Sequence, residues 1–239
     1  MRFLLIGRGR MGTLVEKTAL SGGDTVVAAL GHEDLGRLGG LGKCADVVVD
    51  FSSPAALEAV VEYVKATATP YLSGVTGLSQ EQLALLRSAG TAAPVLWSAN
   101  FSLGVAVFCR ILSQVSSTLL PDFDVEITET HHNKKADAPS GTAKLLLQAL
   151  DPDHTLTPVY GREGLCGPRK SGEVGIHALR GGTVAGTHTV HFFGTDEELE
   201  ITHRAASRQI FASGAYHVGR LLPAMPAGVY DLQDILFGK

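Results

Sequence analysis

Short unbroken apolar runs, spaced by stretches of helical periodicity, fill the first hundred positions of the chain. Residues 3–6 (FLLI), 25–30 (TVVAAL), 46–51 (DVVVDF), 71–74 and 94–97 do not alternate between apolar and polar. Strands buried on both faces of a parallel sheet have this pattern. Helical spacing recurs between the runs, near residues 11–20, 54–65 and 79–89, and Pro54 stands where a first helical turn tolerates it. Strand and helix in strict alternation predict a Rossmann-like, doubly wound parallel sheet with right-handed crossovers.

The pattern changes at residue 103. A long helix is expected over 103–119, then an alternating strand with one wet face over 122–128 (DFDVEIT). A polar stretch follows at 129–142, ETHHNKKADAPSGT, and then a helix over 142–150. Residues 152–172, rich in proline and glycine, read as a long loop. Strands are expected over 173–179, 184–193 and 198–203, with turns at Arg180-Gly181-Gly182 and Gly194-Thr195-Asp196. A helix over 208–222 closes the pattern and suits a return to the first domain. The division this implies is a dinucleotide-binding domain of residues 1–102 and 212–239 around a second α+β domain of residues 103–211. The second sheet is expected to be open and mostly antiparallel or mixed, with little parallel character, and its open face suits coverage by other subunits.

Composition narrows the class. With 45% hydrophobic and 18% charged residues the 239-residue chain has ordinary globular composition, and its net charge of -4 carries no nucleic-acid footprint. The four apolar residues before the first glycine are too few for a signal peptide, and the longest apolar run, broken by Arg110, is too short to span a membrane. Cys44, Cys109 and Cys166 are widely spaced, which is neither a disulfide framework nor a zinc pattern. The expectation is a soluble cytoplasmic protein with no metal site and no nucleic-acid partner.

Candidate chemistry begins with Gly7, Gly9 and Gly12 in GRGRMG, set between the first strand and first helix. Glycines in this position let the backbone approach a pyrophosphate, whose charge rests on the helix N-terminus. A tight turn with no ligand is the plainer alternative, and the flanking strand–helix–strand unit favours the nucleotide. Ligands of such sheets bind beyond the carboxyl ends of the strands. Gly7, Arg8, Gly9, Arg10, Met11 and Gly12 are therefore placed around one dinucleotide cofactor with Gly31 and His32, with Gly74, Val75 and Thr76, and with Ser98, Ala99, Asn100 and Phe101. The second strand ends at Leu30, and Gly31 follows where an acidic residue would hold the ribose of NAD. Glu33 can still reach a ribose, whereas His32 or Arg37 can accommodate a 2′-phosphate, so NADH and NADPH both remain open.

The polar stretch carries the second half of the chemistry. His131 and His132 are adjacent on a strand end, so their side chains point to opposite sides. Lys135 lies within reach through the turn, and Pro139-Ser140-Gly141-Thr142 has the form of a helix start whose N–H groups bind a carboxylate. Hydrogen-bonded histidines, a solvated lysine pair and a plain helix cap are the duller readings of the same residues. Their concentration in fourteen residues favours a small molecule with more than one carboxylate.

ETHHNKKADAPSGTA closely resembles the signature of the 4-hydroxy-tetrahydrodipicolinate reductase (dihydrodipicolinate reductase) family. GRGRMG, VVVDFSSP, SGVTG, SANFSLGV, GIHALRGG and EITHRAASRQIFASGA follow in that family's order, over essentially the whole chain. The resemblance implies reduction of a cyclic dicarboxylate by NADH or NADPH, with hydride delivered to ring carbon 4 as the hydroxyl leaves as water, in lysine and diaminopimelate biosynthesis. It implies His131 as proton donor and acceptor, Lys135 as proton donor, and His132, Gly141 and Thr142 as binders of substrate carboxylates. A homotetramer built through the second sheet is also implied. Two positions depart from the family's pattern: Ile6 stands where many members begin the glycine motif, and Gly31 where many carry the ribose-binding acid. A lysine acid needs tuning from its pKa of roughly 10.4, and a proton shared with His131 would supply it. One rival is an amino-acid dehydrogenase, which has no use for HHNKKADAPSGT. The other is a non-catalytic nucleotide sensor, which requires a partner module that the pattern does not contain.

Overall fold

The computed structural model describes residues 1–238, which divide into two compact units. The first comprises Met1–Leu103 with the chain from Gln209 onward, and the second Gly104–Arg208.

The first unit contains β1 (Arg2–Ile6), α1 (Arg10–Ser21), β2 (Thr25–Leu30), β3 (Val47–Asp50), α2 (Leu57–Thr67), β4 (Tyr71–Ser73), α3 (Gln80–Ser88) and β5 (Pro94–Trp97). These five strands form a parallel sheet, as the unbroken apolar runs predict. Phe3 and Leu5 of β1 point to one face and Leu4 and Ile6 to the other, and all four are buried. On the second face Leu4, Ile6 and Val48 pack with Val60, Val64 and Leu86 of α2 and α3.

In the second unit α4 (Leu103–Leu119, its first residue in the first unit) leads to β6 (Asp124–His131), α5 (Gly141–Leu150), β7 (Thr157–Val159), β8 (Glu173–Arg180), β9 (Gly186–Phe193) and β10 (Glu198–Ala205). The strand order is β10-β9-β6-β8-β7. β6 pairs parallel with β8 and β8 with β7, while β9 runs antiparallel to β6 and β10. The sheet is therefore mixed, with more parallel pairing than the sequence pattern suggests. Val125, Ile127, Val174, Ile176, Val190 and Phe192 bury its inner face against Phe108, Leu112, Ala143 and Leu146 of α4 and α5.

The chain then returns to the first unit as α6 (Gln209–Leu221), β11 (Gly228–Tyr230) and α7 (Leu232–Phe237), which completes the order β11-β5-β4-β3-β1-β2. α6 covers the Phe3 face: Phe3 and Tyr216 rings lie 5.7 Å apart, and Gly219 faces Phe3, Val49 and Leu72. Asp24 anchors the arrangement, accepting from the amino terminus at 2.5 Å and from the Tyr216 hydroxyl at 2.9 Å.

Four elements escape the sequence pattern. Residues 152–172, expected as a loop, contain β7, a three-residue edge strand paired with β8. On the outer face of the sheet, two residues of the remaining segment reach Glu126, which accepts two bonds at 2.9 Å from Arg162 and one at 3.3 Å from Arg169. Against the upward push of burial, Arg162, a hydrogen bond with His177 at 2.7 Å and Arg169 hold the Glu126 carboxyl at about 2. β11 and α7 extend beyond the last expected helix, and a 3-10 helix, His32–Gly40, follows β2.

α6 depends on one small residue. A Cβ on Gly214 would lie 1.7 Å from the Phe101 carbonyl oxygen. Gly214→Ala is expected to lower stability by roughly 1–3 kcal/mol, as overpacking does, read as a fall in urea midpoint; an unchanged midpoint would show that α6 shifts freely.

Candidate active site

The parallel sheet ends in loops held side by side by hydrogen bonds that continue its ladder. Gly7 N–H donates to Leu30 O, Phe51 N–H to Ile6 O, and Gly74 N–H to Asp50 O, each at 2.8 Å; Ser98 N–H donates to Ser73 O at 3.1 Å. All the expected cofactor loops thus share one sheet edge. Gly7, Arg8 and Gly9 also line one cavity of about 240 Å³ with Gly31, His32, Phe51, Ser52 and Ser53. That cavity lies between the tips of β2, β1 and β3, where the chain leaves β1 in opposite directions, the position at which doubly wound sheets take their ligands.

Side chains at Gly7 and Gly12 would strike neighbouring backbone and force this loop open. Gly7 has φ +97°, and a Cβ there would lie 2.6 Å from Phe51 O; one on Gly12 would lie 1.8 Å from Gly7 O. Gly9 caps α1 without a side chain and faces open space, which leaves the helix N-terminus clear for a phosphate. These features fit a dinucleotide. Arg10, Met11 and Gly12 belong to the first turn of α1, and Gly12 is buried. Asp50, buried at the end of β3, accepts from Ser52 N–H at 2.9 Å, Ser52 Oγ at 2.5 Å and Tyr71 Oη at 2.8 Å, which sets the turn carrying Phe51 and Ser52.

Gly74, Val75 and Thr76, with Ser98, Ala99, Asn100 and Phe101, lie farther along the same edge, outside this cavity. Val75 and Phe101 are buried, and the Phe51 ring packs between Gly74 and Phe101, edge-on to the latter at 5.7 Å.

In the second unit the inner face of the sheet changes character along its length. Val125 and Ile127 of β6 lie beside Phe192 and Val190 of β9, but the next inward residue, Glu129, lies beside His188. His131 then lies beside Arg180 of β8. The apolar core gives way there to a buried polar cluster. Glu129, with no solvent exposure, accepts from His131 Nδ1 at 2.5 Å, from Arg180 at 2.8 and 2.9 Å, and from Ser140 N–H at 3.1 Å. Burial pushes the Glu129 carboxyl up, yet Arg180 and His131 outweigh it and hold it below its ordinary value. An ionised carboxylate only accepts hydrogen bonds, so His131 carries a proton on Nδ1 and Nε2 is the ring nitrogen that Glu129 does not engage. Gly186 leaves room there, since a Cβ would stand 3.1 Å from His131 Nε2.

His188 crosses the His131 ring edge-on, 5.0 Å between centroids, and its Nε2 lies 2.9 Å from Ser140 Oγ. Burial foremost, with the neighbouring His131 charge, lowers its pKa to about 4, so it is neutral at pH 7. Ser140 Oγ also caps α5, accepting from Ala143 N–H at 3.1 Å. Gly141 is exposed and Thr142 half-buried on the first turn of that helix. His132, half-buried, is tied by its N–H to Val184 O at 2.8 Å. The partner the structure shows for Lys135 is Asp137, at 2.7 Å, rather than His131. Arg180 also donates to Asp137 O at 2.7 Å, holding the Lys135 segment against Glu129.

Glu129, Arg180, His188 and Asp137 are members of this cluster to which the sequence pattern assigns no chemistry, and Ser140, read as part of a helix start, is its cap. The available signal was the inward alternation of β6, which continues past Val125 and Ile127 to two titratable residues. Among the described residues no group of three or more His, Cys, Asp or Glu side chains is arranged to hold a metal, and no helix is long and apolar enough to cross a membrane.

The family model "Dihydrodipicolinate reductase, N-terminus" matches residues 1–101, and "Dihydrodipicolinate reductase, C-terminus" matches residues 104–236. The chain is 41% identical over 251 aligned positions to the 4-hydroxy-tetrahydrodipicolinate reductase of Rubrobacter xylanophilus, covering 95% of each. It is 37% identical over 238 positions to that of an Exiguobacterium species, covering 98% of this chain and 95% of the relative. Among solved structures, a dipicolinate-bound dihydrodipicolinate reductase from Paenisporosarcina sp. TG-14 has the same fold, with a TM-score of 0.80 over 99% of both chains at 24% identity.

The neutral state of His188 has a consequence for stability. Its pKa is about 4 in the fold against 6.5 ordinarily, so the unfolded chain takes up this proton first as pH falls. The stability tied to neutral His188 is complete above pH 6.5 and drains away between pH 6.5 and 4, up to roughly 3 kcal/mol. Melting temperatures should fall over that range, and His188→Gln should flatten the fall; an equally steep fall in the variant would place the pH sensitivity elsewhere.

Proposed function

Since the chain belongs to the dihydrodipicolinate reductase family, the NAD(P)H-dependent reductases of 4-hydroxy-tetrahydrodipicolinate in lysine and diaminopimelate biosynthesis, we propose that its reaction runs through the Glu129–His131 cluster and the start of α5. The observation that carries this reading is a buried carboxylate that joins a histidine, an arginine and a helix N-terminus within one hydrogen-bond network.

His132, Gly141 and Thr142 bind the substrate carboxylates, Gly141 and Thr142 through the first turn of α5, where N–H groups and the helix dipole favour negative charge. Reduced nicotinamide supplies the hydride. Gly7 to Gly12 hold the pyrophosphate, Gly31 and His32 border the adenosine end, and Gly74 to Thr76 with Ser98 to Phe101 line the remainder. As the ring hydroxyl leaves as water, it takes a proton. Lys135, oriented by Asp137, donates it, and His131 passes protons at Nε2 while Glu129 fixes its tautomer and stabilises its charged form. Neutral His188 adds no positive charge to the cluster.

A homotetramer assembled through the outer face of the second sheet, where Leu179 and Phe193 are exposed, completes the proposal, together with a cytoplasmic setting that suits three free cysteines.

The test couples the protein to a dihydrodipicolinate synthase supplied with pyruvate and aspartate semialdehyde and follows reduced-nicotinamide absorbance. Lys135→Ala is expected to lower kcat by about 10²–10⁴-fold with little change in KM, as loss of a general acid does. Thr142→Ala is expected to raise KM by about tenfold, the effect of one hydrogen bond to a charged group. Wild-type kinetics in both variants would overturn the assignment.

A further inference from the structure

The adenosine end of the nucleotide cleft lacks its usual acid, because Gly31 follows the last residue of β2, Leu30. The fold brings a carboxylate there from another position. The 3-10 helix His32–Gly40 turns Asp34 back so that Gly31 N–H donates to Asp34 Oδ2, while Asp34 N–H donates to Gly31 O, each at 3.1 Å. A Cβ built on Gly31 would lie 3.7 Å from that Oδ2. The Asp34 carboxylate therefore stands beside residue 31, the usual place of the ribose-binding acid.

Two cations flank it. Arg37 Nη1 lies 3.5 Å from Asp34 Oδ1, and Arg8 Nη1 lies 3.9 Å from Oδ2. Their side chains are 65% and 68% exposed, free to turn toward a ligand, and Asp34 itself is 30% exposed. Arg8 also lines the cavity beside Gly31 and His32. A ribose diol donates hydrogen bonds and suits a carboxylate; a 2′-phosphate suits guanidinium groups and is repelled by a carboxylate.

Resting on the reading of this cleft as the dinucleotide site, we infer that Asp34 sets the preference between NADH and NADPH. Its carboxylate accepts from the adenosine ribose hydroxyls, and its charge restrains Arg8 and Arg37 from capturing a 2′-phosphate. Both cofactors bind, with Asp34 as the balance point, and neither Gly31 nor Glu33 decides between them.

Calorimetric binding of NAD⁺ and NADP⁺ to the full chain tests this, with steady-state rates for NADH and NADPH alongside. Asp34→Asn keeps an acceptor oxygen for Gly31 N–H and so preserves the turn. It should move the ratio of dissociation constants toward NADP⁺ by roughly tenfold, the effect of one charge-assisted contact. Arg37→Gln should move it the other way, and it decides alone if Asp34→Asn does not fold. Wild-type binding of both nucleotides with an unmoved ratio in Asp34→Asn overturns the role of Asp34 and leaves the cleft assignment standing. A wild type that binds neither nucleotide overturns the cleft assignment and this inference with it.

Discussion

An ionised carboxylate with no contact with water is tolerated only when its lone pairs are met by donors. Glu129 imposes that condition on the second unit. Its four donors come from β6 (His131), β8 (Arg180, twice) and the residue that caps α5 (Ser140). Meeting the charge therefore locks two strand ends and a helix start together. Arg180 extends the lock to the backbone of Asp137, and so to the segment carrying Lys135. Breaking a pair of this kind costs about 3–5 kcal/mol, so the geometry of the cluster and the stability of the sheet end are one property.

The same economy of position governs the first unit, through the absence of side chains. Gly7, Gly12 and Gly74 stand where a Cβ would strike Phe51 O, Gly7 O and the Phe51 ring. Their bareness lets β1, β3, β4 and α1 close to the spacing at which the ladder continues into the loops. Phe51 is the common neighbour, touching the tips of three strands, and buried Asp50 fixes the turn that carries it. The open space at Gly9 is what this packing leaves for a ligand.

Legibility in the sequence followed the length and regularity of each element. The five parallel strands, α1 to α6 and β6, β8, β9 and β10 of the second sheet are readable, because each buries enough side chains to impose its own period. β7 and β11, with three residues each, bury too few; they exist as additions to the edges of β8 and β5. α7 has a local signal in Asp231 and Asp234, which form its capping box, but six residues carry too short a period to be seen. His32–Gly40 contains three glycines and reads as a loop, yet Asp34 closes its start onto Gly31. β6 was cut short at Thr128 because Glu129 and His131 look like the onset of a polar segment. In the fold they keep the inward rhythm of Val125 and Ile127.

By itself the sequence determined which elements form, through their periods of burial, and which short stretch concentrates the chemistry, through the density of histidine, lysine and helix-start residues in ETHHNKKADAPSGT. Tertiary structure decided the partnerships. Glu129 meets Arg180 across 51 positions, and Ser140 meets His188 across 48. Those pairings depend on the register of β6 against β8 and β9, and alternating strands carry the same two-residue period in every even-numbered register. Only the packed sheet selects one of them, and in doing so it places a carboxylate, a histidine and an arginine in contact.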